Sequence, residues 1–349
     1  MPNAAIPIVI VGFRNPSDVA ACLRALAKAP REPEFSVFIC ENGGREAYEK
    51  LLATLSAEDV PCPGAPVALD GPGAPFLRAC RLQLAQTIDV TIGEARENLG
   101  YAGGINAWIR FLLQQNGWPG LWVLNPDTEP TPAALAELVD YAQEYSKGMV
   151  GSRIMFMDRP DVVGSRGLSW NCWHARTTGV DIYAPATPAP DRLDVERRID
   201  SPHGASFYIT RPCLEKIGLM DERYFLYFED LDWGLHAKAT HGVGYAYRSV
   251  VPHAGGTTIG SASGRASRSQ LAVYLDFRNR LLFVRKNYPG WYFWTVAMVL
   301  ARSAEFLAVG SKRNFRAALS GWRAGVIGET GRPDHYLNRL ASQASVAPD

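Results

Sequence analysis

Residues 6–13 read IPIVIVGF, an unbroken apolar, β-rich run with no alternation of polar positions. Such a run predicts a strand buried on both faces, as in a parallel sheet. It gives way to NPSDVAACLRALAKA, which opens on cap-type residues and continues at helical spacing. The same succession recurs three times. FSVFICENGG (35–44) is a strand ending in polar residues and a glycine turn, with a helix from about Arg45. VTIGEARENLGYAGGINAWIRFLLQQ gives strand, glycine-rich loop and helix, and GLWVLNPDTEPTPAALAELVDYAQE gives strand, polar loop and helix. Four strand–loop–helix units predict an α/β fold around a mostly parallel sheet. Such sheets bind ligands beyond the carboxyl ends of their strands, so the polar residues after these four strands are the candidate site.

Elsewhere the pattern is weaker. The stretch 59–92, rich in Pro, Gly and Ala, reads as an elaborated connection without a definite structure, and 167–192 reads as loop with a Pro-rich tip. A compact unit returns at 201–258, and from about Arg265 the chain reads helical. WYFWTVAMVLARSAEFLAVG (291–310) is the nearest approach to a membrane segment, but Arg302 and Glu305 interrupt it short of the roughly 20 apolar residues a spanning helix needs. Two readings stay open: a buried amphipathic helix, or an interfacial one anchored by Trp291, Tyr292 and Trp294 between flanking basic residues.

Composition changes this picture little. With 349 residues, 47% hydrophobic and 20% charged, the chain can bury a sizeable core. A net charge of +1 offers no overall basic surplus for nucleic acid. The charge is uneven, however: nine basic residues against Glu305 and Glu329 between Arg278 and Glu329, or 9 − 2 = +7. The six cysteines are scattered with no CxxC pair, which points to reduced thiols and a cytoplasmic setting. MPNAAIPIVIVGF has no basic n-region and reads as a first strand, not a signal peptide.

Chemistry gathers at the strand ends. Asn125-Pro126-Asp127 follows the strand LWVL and sets one carboxylate at the sheet edge. Gly100, Gly103 and Gly104 precede a helix and permit close backbone approach by an anionic group. His253 follows the strand GYAYRSVV. Carboxylate, glycine loop and histidine together suit a divalent cation, Mg²⁺ or Mn²⁺, bridging a diphosphate. In YFLYFEDLDWGLHAKATHG (224–242) the acidic residues Glu229, Asp230 and Asp232 crowd against Tyr and Phe. Desolvated carboxylates of this kind titrate high and often do proton transfer, although the same residues also suit a helix N-terminus.

The ordered motifs IVIVGFRN, CENGG, ENLGYAGGIN, LNPDTEP, HGASFYITRPCLEKIGLMDERYFLYFEDLDWGLHAK, VPHAGGTT and YLDFRNRLLFVRKNYP resemble glycosyltransferase family 2, in its bacterial rhamnosyltransferase-like branch, over about residues 6–290. The resemblance implies a GT-A fold, a nucleotide-diphosphate sugar donor, a divalent metal and inversion at the anomeric carbon. It divides the chain into a catalytic domain, 1–265, and a helical region, 266–349. Within the catalytic domain, residues 1–130 would bind the nucleotide sugar and residues 131–265 would take the acceptor. By motif position, Asp127 and His253 hold the metal and diphosphate, and Asp230 is the catalytic base with Glu229 beside it. Glu41 and Asn42 face the nucleotide base, while Phe13, Asn15, Asn98, Gly100 and Gly104 line the nucleotide. Tyr224 to Phe228 form an aromatic wall for the acceptor. Two positions depart from the family: Asn125 replaces the first Asp of the metal motif, and Glu41 replaces an Asp. The implied donor is a dTDP-sugar such as dTDP-rhamnose, or a UDP-sugar; the acceptor is a saccharide or lipid-linked saccharide. The expected setting extends to the inner face of the cytoplasmic membrane, with contact through the C-terminal helices, and to a homo-oligomer. Two readings compete: a sugar-phosphate nucleotidyltransferase, whose glycine- and lysine-rich signature after the first strand is missing from GFRNPSD (12–18), and a non-catalytic carbohydrate-binding protein.

Overall fold

The structure, a computed structural model, describes residues 5–57, 66–67, 75–84, 88–255 and 267–339. In chain order the elements are β1 (Ile6–Gly12), α1 (Pro16–Leu26), β2 (Phe35–Glu41), α2 (Arg45–Ala57), β3 (Pro66–Val67), β4 (Phe76–Leu84), β5 (Ile88–Ala95), α3 (Gly100–Leu112), β6 (Gly120–Leu124) and α4 (Ala134–Glu144). There follow β7 (Met149–Phe156), β8 (Val163–Ser165), β9 (Leu168–Asn171), β10 (Arg176–Gly179), α5 (Arg192–Arg198), β11 (Ser206–Thr210), α6 (Arg211–Ile217), α7 (Glu229–Thr240), β12 (Val243–His253), α8 (Gln270–Asn287), α9 (Tyr292–Ala308) and α10 (Lys312–Ile327). Two compact units share them. The first takes Met1–Trp170, Thr177–Met220 and Asp230–Thr258; the second takes Asn171–Arg176, Asp221–Glu229 and Ile259–Asp349.

The first unit is built on one sheet in the order β12-β7-β11-β6-β1-β2-β5-β4-β3, with β8 on β7. The four strands expected from the apolar runs, β6-β1-β2-β5, are parallel neighbours. Their register is level: Gly12 pairs with Glu41, and Glu41 with Glu94. The loops that follow them therefore leave from one edge. β11 enters antiparallel between β6 and β7, with Ser206 opposite Leu124. An antiparallel strand brings its beginning to the edge where parallel strands bring their ends, so His203–Ala205 join the loops of the candidate site.

Burial explains why the apolar runs do not alternate. Ile6, Ile8 and Ile10 face one core with Leu23 of α1, Leu51 of α2 and Leu138 of α4. Val9 and Val11 face the other, with Ile105 and Trp108 of α3 and Ala237 of α7. Each fully buried side chain of this kind is worth roughly 1.5–3 kcal/mol, and both faces of β1 are spent on holding helices.

The stretch 59–92 contains structure that the apolar pattern does not reveal. β4 pairs antiparallel with β5 and extends the sheet beyond the parallel block. Phe76, Ala79, Leu82 and Leu84 are buried, but a register shift between Phe76 and Arg78 breaks the two-residue period that would have announced a strand. Likewise 168–198 holds a small two-stranded sheet, β9 with β10, and the helix α5. The five described cysteines are free, and Cys62 lies outside the described residues. No helix among the described residues is long and apolar enough to cross a membrane.

Candidate active site

Asp127 and His253 come together because the backbone zips their segments. Ala254 N–H donates to the Asp127 carbonyl at 3.0 Å and Glu129 N–H to the Pro252 carbonyl at 3.0 Å, with Thr128 bridged to His253. The result is a side-chain pair, His253 Nε2 to Asp127 Oδ1, at 3.2 Å. Beside Asp127 in sequence, Asn125 Oδ1 is buried with no hydrogen-bond partner. One carboxylate oxygen, one imidazole nitrogen and one orphaned amide oxygen are a sparse but chemically suitable set for a hard divalent cation completed by phosphate and water. Among the described residues no three His, Cys, Asp or Glu side chains are grouped so that they could hold a metal ion.

Asp230 is set in place from His203–Ala205. Its Oδ2 accepts from Gly204 N–H at 3.1 Å and its Oδ1 from Leu231 N–H at 2.8 Å. Gly204 is required there: a Cβ at this position would sit 2.5 Å from Asp230 Oδ2. Burial raises the Asp230 pKa above the ordinary carboxylate range, against the two backbone donors that lower it. Glu229, which is buried, is the first residue of α7, so the acidic group does stand at a helix start.

The same three residues reach the rest of the site. The His203 ring lies 5.7 Å, centroid to centroid, from that of His253, and burial and the neighbouring His253 hold the His203 pKa down to about 3, so it is neutral. The Gly204 carbonyl accepts from Tyr101 Oη at 2.8 Å, and the Ala205 carbonyl accepts from Asn125 N–H at 2.9 Å. His203, Gly204 and Tyr101 do not stand out in the sequence. HGA and GY carry no signal of their own, and only the antiparallel entry of β11 brings them in.

On the nucleotide side, Glu41 is fully buried at the end of β2. Its Oε1 accepts from Arg14 N–H at 3.1 Å and Gly43 N–H at 2.7 Å, while its Oε2 is buried with no hydrogen-bond partner. Burial raises its pKa despite those donors. Asn42 is otherwise engaged: its Nδ2 donates to the Gly100 carbonyl at 2.8 Å and its Oδ1 accepts from Leu99 N–H at 3.3 Å. It holds the glycine loop in place. Asn98 Oδ1 accepts from Gly100 N–H at 3.0 Å, and Gly100 has a φ of +73°. At Gly104 a Cβ would come 2.9 Å from Val11, so this glycine serves the packing of α3 on β1. Phe13 N–H donates to Asn15 Oδ1 at 2.9 Å in the turn after β1.

The profile of the family described as "Glycosyltransferase like family 2" matches residues 80–280. The chain belongs to this family. It is 24% identical over 262 residues to a low-salt glycan biosynthesis hexosyltransferase of Haloferax volcanii, covering 70% of this chain and 78% of that one. It is 26% identical over 239 residues to an N-acetylglucosaminyl-diphospho-decaprenol L-rhamnosyltransferase of Mycobacterium tuberculosis, covering 63% and 76%. A mannosyltransferase of Pyrobaculum calidifontis, solved with GDP-Man and Mn²⁺, superposes with a TM-score of 0.51 at 11% identity, over 93% of this chain and 88% of that one. At that identity the superposition speaks for the GT-A fold alone. Membership makes the chain a glycosyltransferase and sets aside the nucleotidyltransferase and the non-catalytic sugar binder.

The aromatic wall expected of this glycosyltransferase is not formed as anticipated. Tyr224, Phe225 and Phe228 are buried, and only Leu226 and Tyr227 are half-buried. They belong to the core of the second unit, where Phe228 packs on Phe283 at 5.4 Å. Arg278 is fully buried too, and donates to the carbonyls of Tyr224 and Gly331 at 2.9 and 2.8 Å. These bonds hold the turn and the C-terminal segment together.

Proposed function

We propose that the chain is an inverting, divalent-metal-dependent transferase. It moves rhamnose or another hexose from a dTDP- or UDP-sugar to a hydroxyl of a saccharide or lipid-linked saccharide. One observation carries this reading: His203–Ala205 tie a half-buried carboxylate, Asp230, and a carboxylate–imidazole pair to the same stretch of sheet edge. Asp230 accepts the proton of the acceptor hydroxyl while that oxygen bonds to the anomeric carbon. The bond from that carbon to the diphosphate oxygen breaks, and its electron pair leaves with the diphosphate. Positioned base catalysis of this sort contributes about 10²–10⁴-fold. Glu229 orients the start of α7. Asp127 and His253 would hold a divalent cation, which when bound would supply positive charge to the departing diphosphate. Glu41 Oε2 is an acceptor for an N–H of the nucleotide base. The names of the relatives support a hexose or rhamnose as cargo and a lipid diphosphate saccharide as one acceptor class, and the Mn²⁺ of the mannosyltransferase supports a metal.

A thermal-shift panel of nucleoside diphosphates and nucleotide sugars tests the site. A ligand at a hundred times its Kd adds about 2.7 kcal/mol to apparent stability. The expected result is a rise in Tm with Mn²⁺ and dTDP or UDP that EDTA removes and that Asp127→Ala and His253→Ala each weaken. Equal shifts in Mn²⁺ and EDTA, or in parent and both variants, would contradict the metal assignment.

A further inference from the structure

The second unit leaves an apolar face of α9 uncovered. Every exposed residue of α9 is apolar: Phe293, Trp294, Ala297, Leu300, Ala301, Ala304, Leu307 and Ala308. They recur at helical spacing and form one stripe, roughly 25 Å long at 1.5 Å per residue. Thr295, Val299, Ser303 and Phe306 are buried on the opposite face, and Arg302 pairs with Glu305 at 3.6 Å. A solvated surface helix carries polar residues on its outer face. Phe293, at 85% exposure, stands almost fully in solvent.

The ends of the stripe differ. At its start Trp294 Nε1 donates to the Trp173 carbonyl at 2.9 Å, and the Trp173 ring lies 4.8 Å from Trp291 and 6.3 Å from Trp294. Trp173 is itself exposed. At its finish Val309 is exposed and the chain turns directly into Lys312, Arg313 and Arg316 of α10, all exposed. None of the three forms an ion pair with a described carboxylate. Other basic residues of the +7 segment are accounted for internally: Arg278 with Glu329, Arg280 with Asp276 and Lys286 with Asp221. Lys312, Arg313 and Arg316 follow the end of the apolar stripe in the chain.

We infer that α9 lies flat on an anionic lipid surface, with its stripe at the headgroup–acyl boundary and Lys312, Arg313 and Arg316 over anionic headgroups. Apolar residues on one face, tryptophans at one end and unpaired basic residues at the other are what an interfacial helix requires. A second copy of the chain is the poorer occupant: a two-fold pairing of α9 covers the stripe with itself but brings no carboxylate of α9 other than Glu305, which already pairs with Arg302, to Lys312, Arg313 and Arg316. The surface shares no residue with those proposed for sugar transfer, so each can fail alone.

Co-sedimentation of the full chain with vesicles of phosphatidylcholine, and of phosphatidylcholine with about 30% phosphatidylglycerol, tests the inference; that mole fraction is the assay condition, near that of a strongly anionic membrane. The expected result is roughly tenfold stronger binding to the anionic vesicles, weakened several-fold by raising salt. Phe293→Ser with Leu307→Ser, both at exposed positions, should remove binding to either vesicle. Lys312→Glu with Arg313→Glu should remove the preference for anionic lipid. Nucleotide-induced thermal shifts should be unchanged in all of these variants. Failure of the parent to bind either vesicle overturns the inference. Loss of a dimer in the serine variants, seen by sedimentation velocity without vesicle binding, overturns it in favour of a second copy.

Discussion

The proposed base, Asp230, must be basic enough to take a proton in a half-buried site. Desolvation raises its pKa, and the N–H groups of Gly204 and Leu231 oppose the rise. As a base it works only deprotonated, so transfer should fall as pH drops through a value above the ordinary Asp range, and kcat/KM against pH reads that limb. Asp230→Asn should lower kcat by about 10²–10⁴-fold while donor Kd stays within a few-fold. The stability sign is opposite. A carboxyl whose folded pKa lies above its unfolded one contributes stability at low pH that is lost as pH rises through the folded value. The parent's stability should therefore decline as pH rises through the folded value, as measured by urea unfolding at a series of pH values. An Asp230→Asn variant as active as the parent would remove the residue from this role. Much of the site could be read from residue type and motif order: Asp127, His253, Glu41 and Asp230 stand at the strand ends and in the acidic motif. His203, Gly204 and Tyr101 could not, because their role depends on a backbone N–H, a carbonyl and a ring distance that no side-chain pattern encodes.

At the scale of the element, the turn before α7 carries unusual strain. Phe225, Tyr227 and Phe228 have φ values of 65°, 71° and 78°, a region that costs bulky residues about 1–3 kcal/mol each. Asn279 of α8 offsets this: its Nδ2 donates to the carbonyls of Tyr224, Leu226 and Tyr227 at 2.8–2.9 Å. Asn279→Ala should cost about 3 kcal/mol in urea unfolding, since buried carbonyls lose their donor. Asn279→Asp should cost at least as much at neutral pH, because a carboxylate facing those carbonyls accepts and does not donate. An Asp variant as stable as the parent would show that the turn does not rely on this donor. The turn explains why the YFLYF aromatics misled: an aromatic run signals apolar contact, but three left-handed residues in the turn send most of its side chains into the core. The same limit applies to β4, where the bulge at Phe76–Arg78 hides a strand from its period, whereas the double-sided runs of β1, β2 and β6 announced themselves.

For the whole molecule, the α/β fold with its parallel core followed from four repeats of one pattern, because each strand is buried on both faces. The division into units did not. No shift of composition marks 171–176 or 221–229, which the second unit takes from the middle of the chain, since long-range packing decides it. The proposed reaction is a single displacement: one base, Asp230, a leaving diphosphate, and no covalent sugar on the protein. Proton NMR of the reaction mixture during turnover, with a donor found by the thermal-shift panel, tests this most directly. The expected product has the anomeric configuration opposite to the donor's, with one nucleoside diphosphate released per sugar moved. A product that retains the donor's configuration would contradict it.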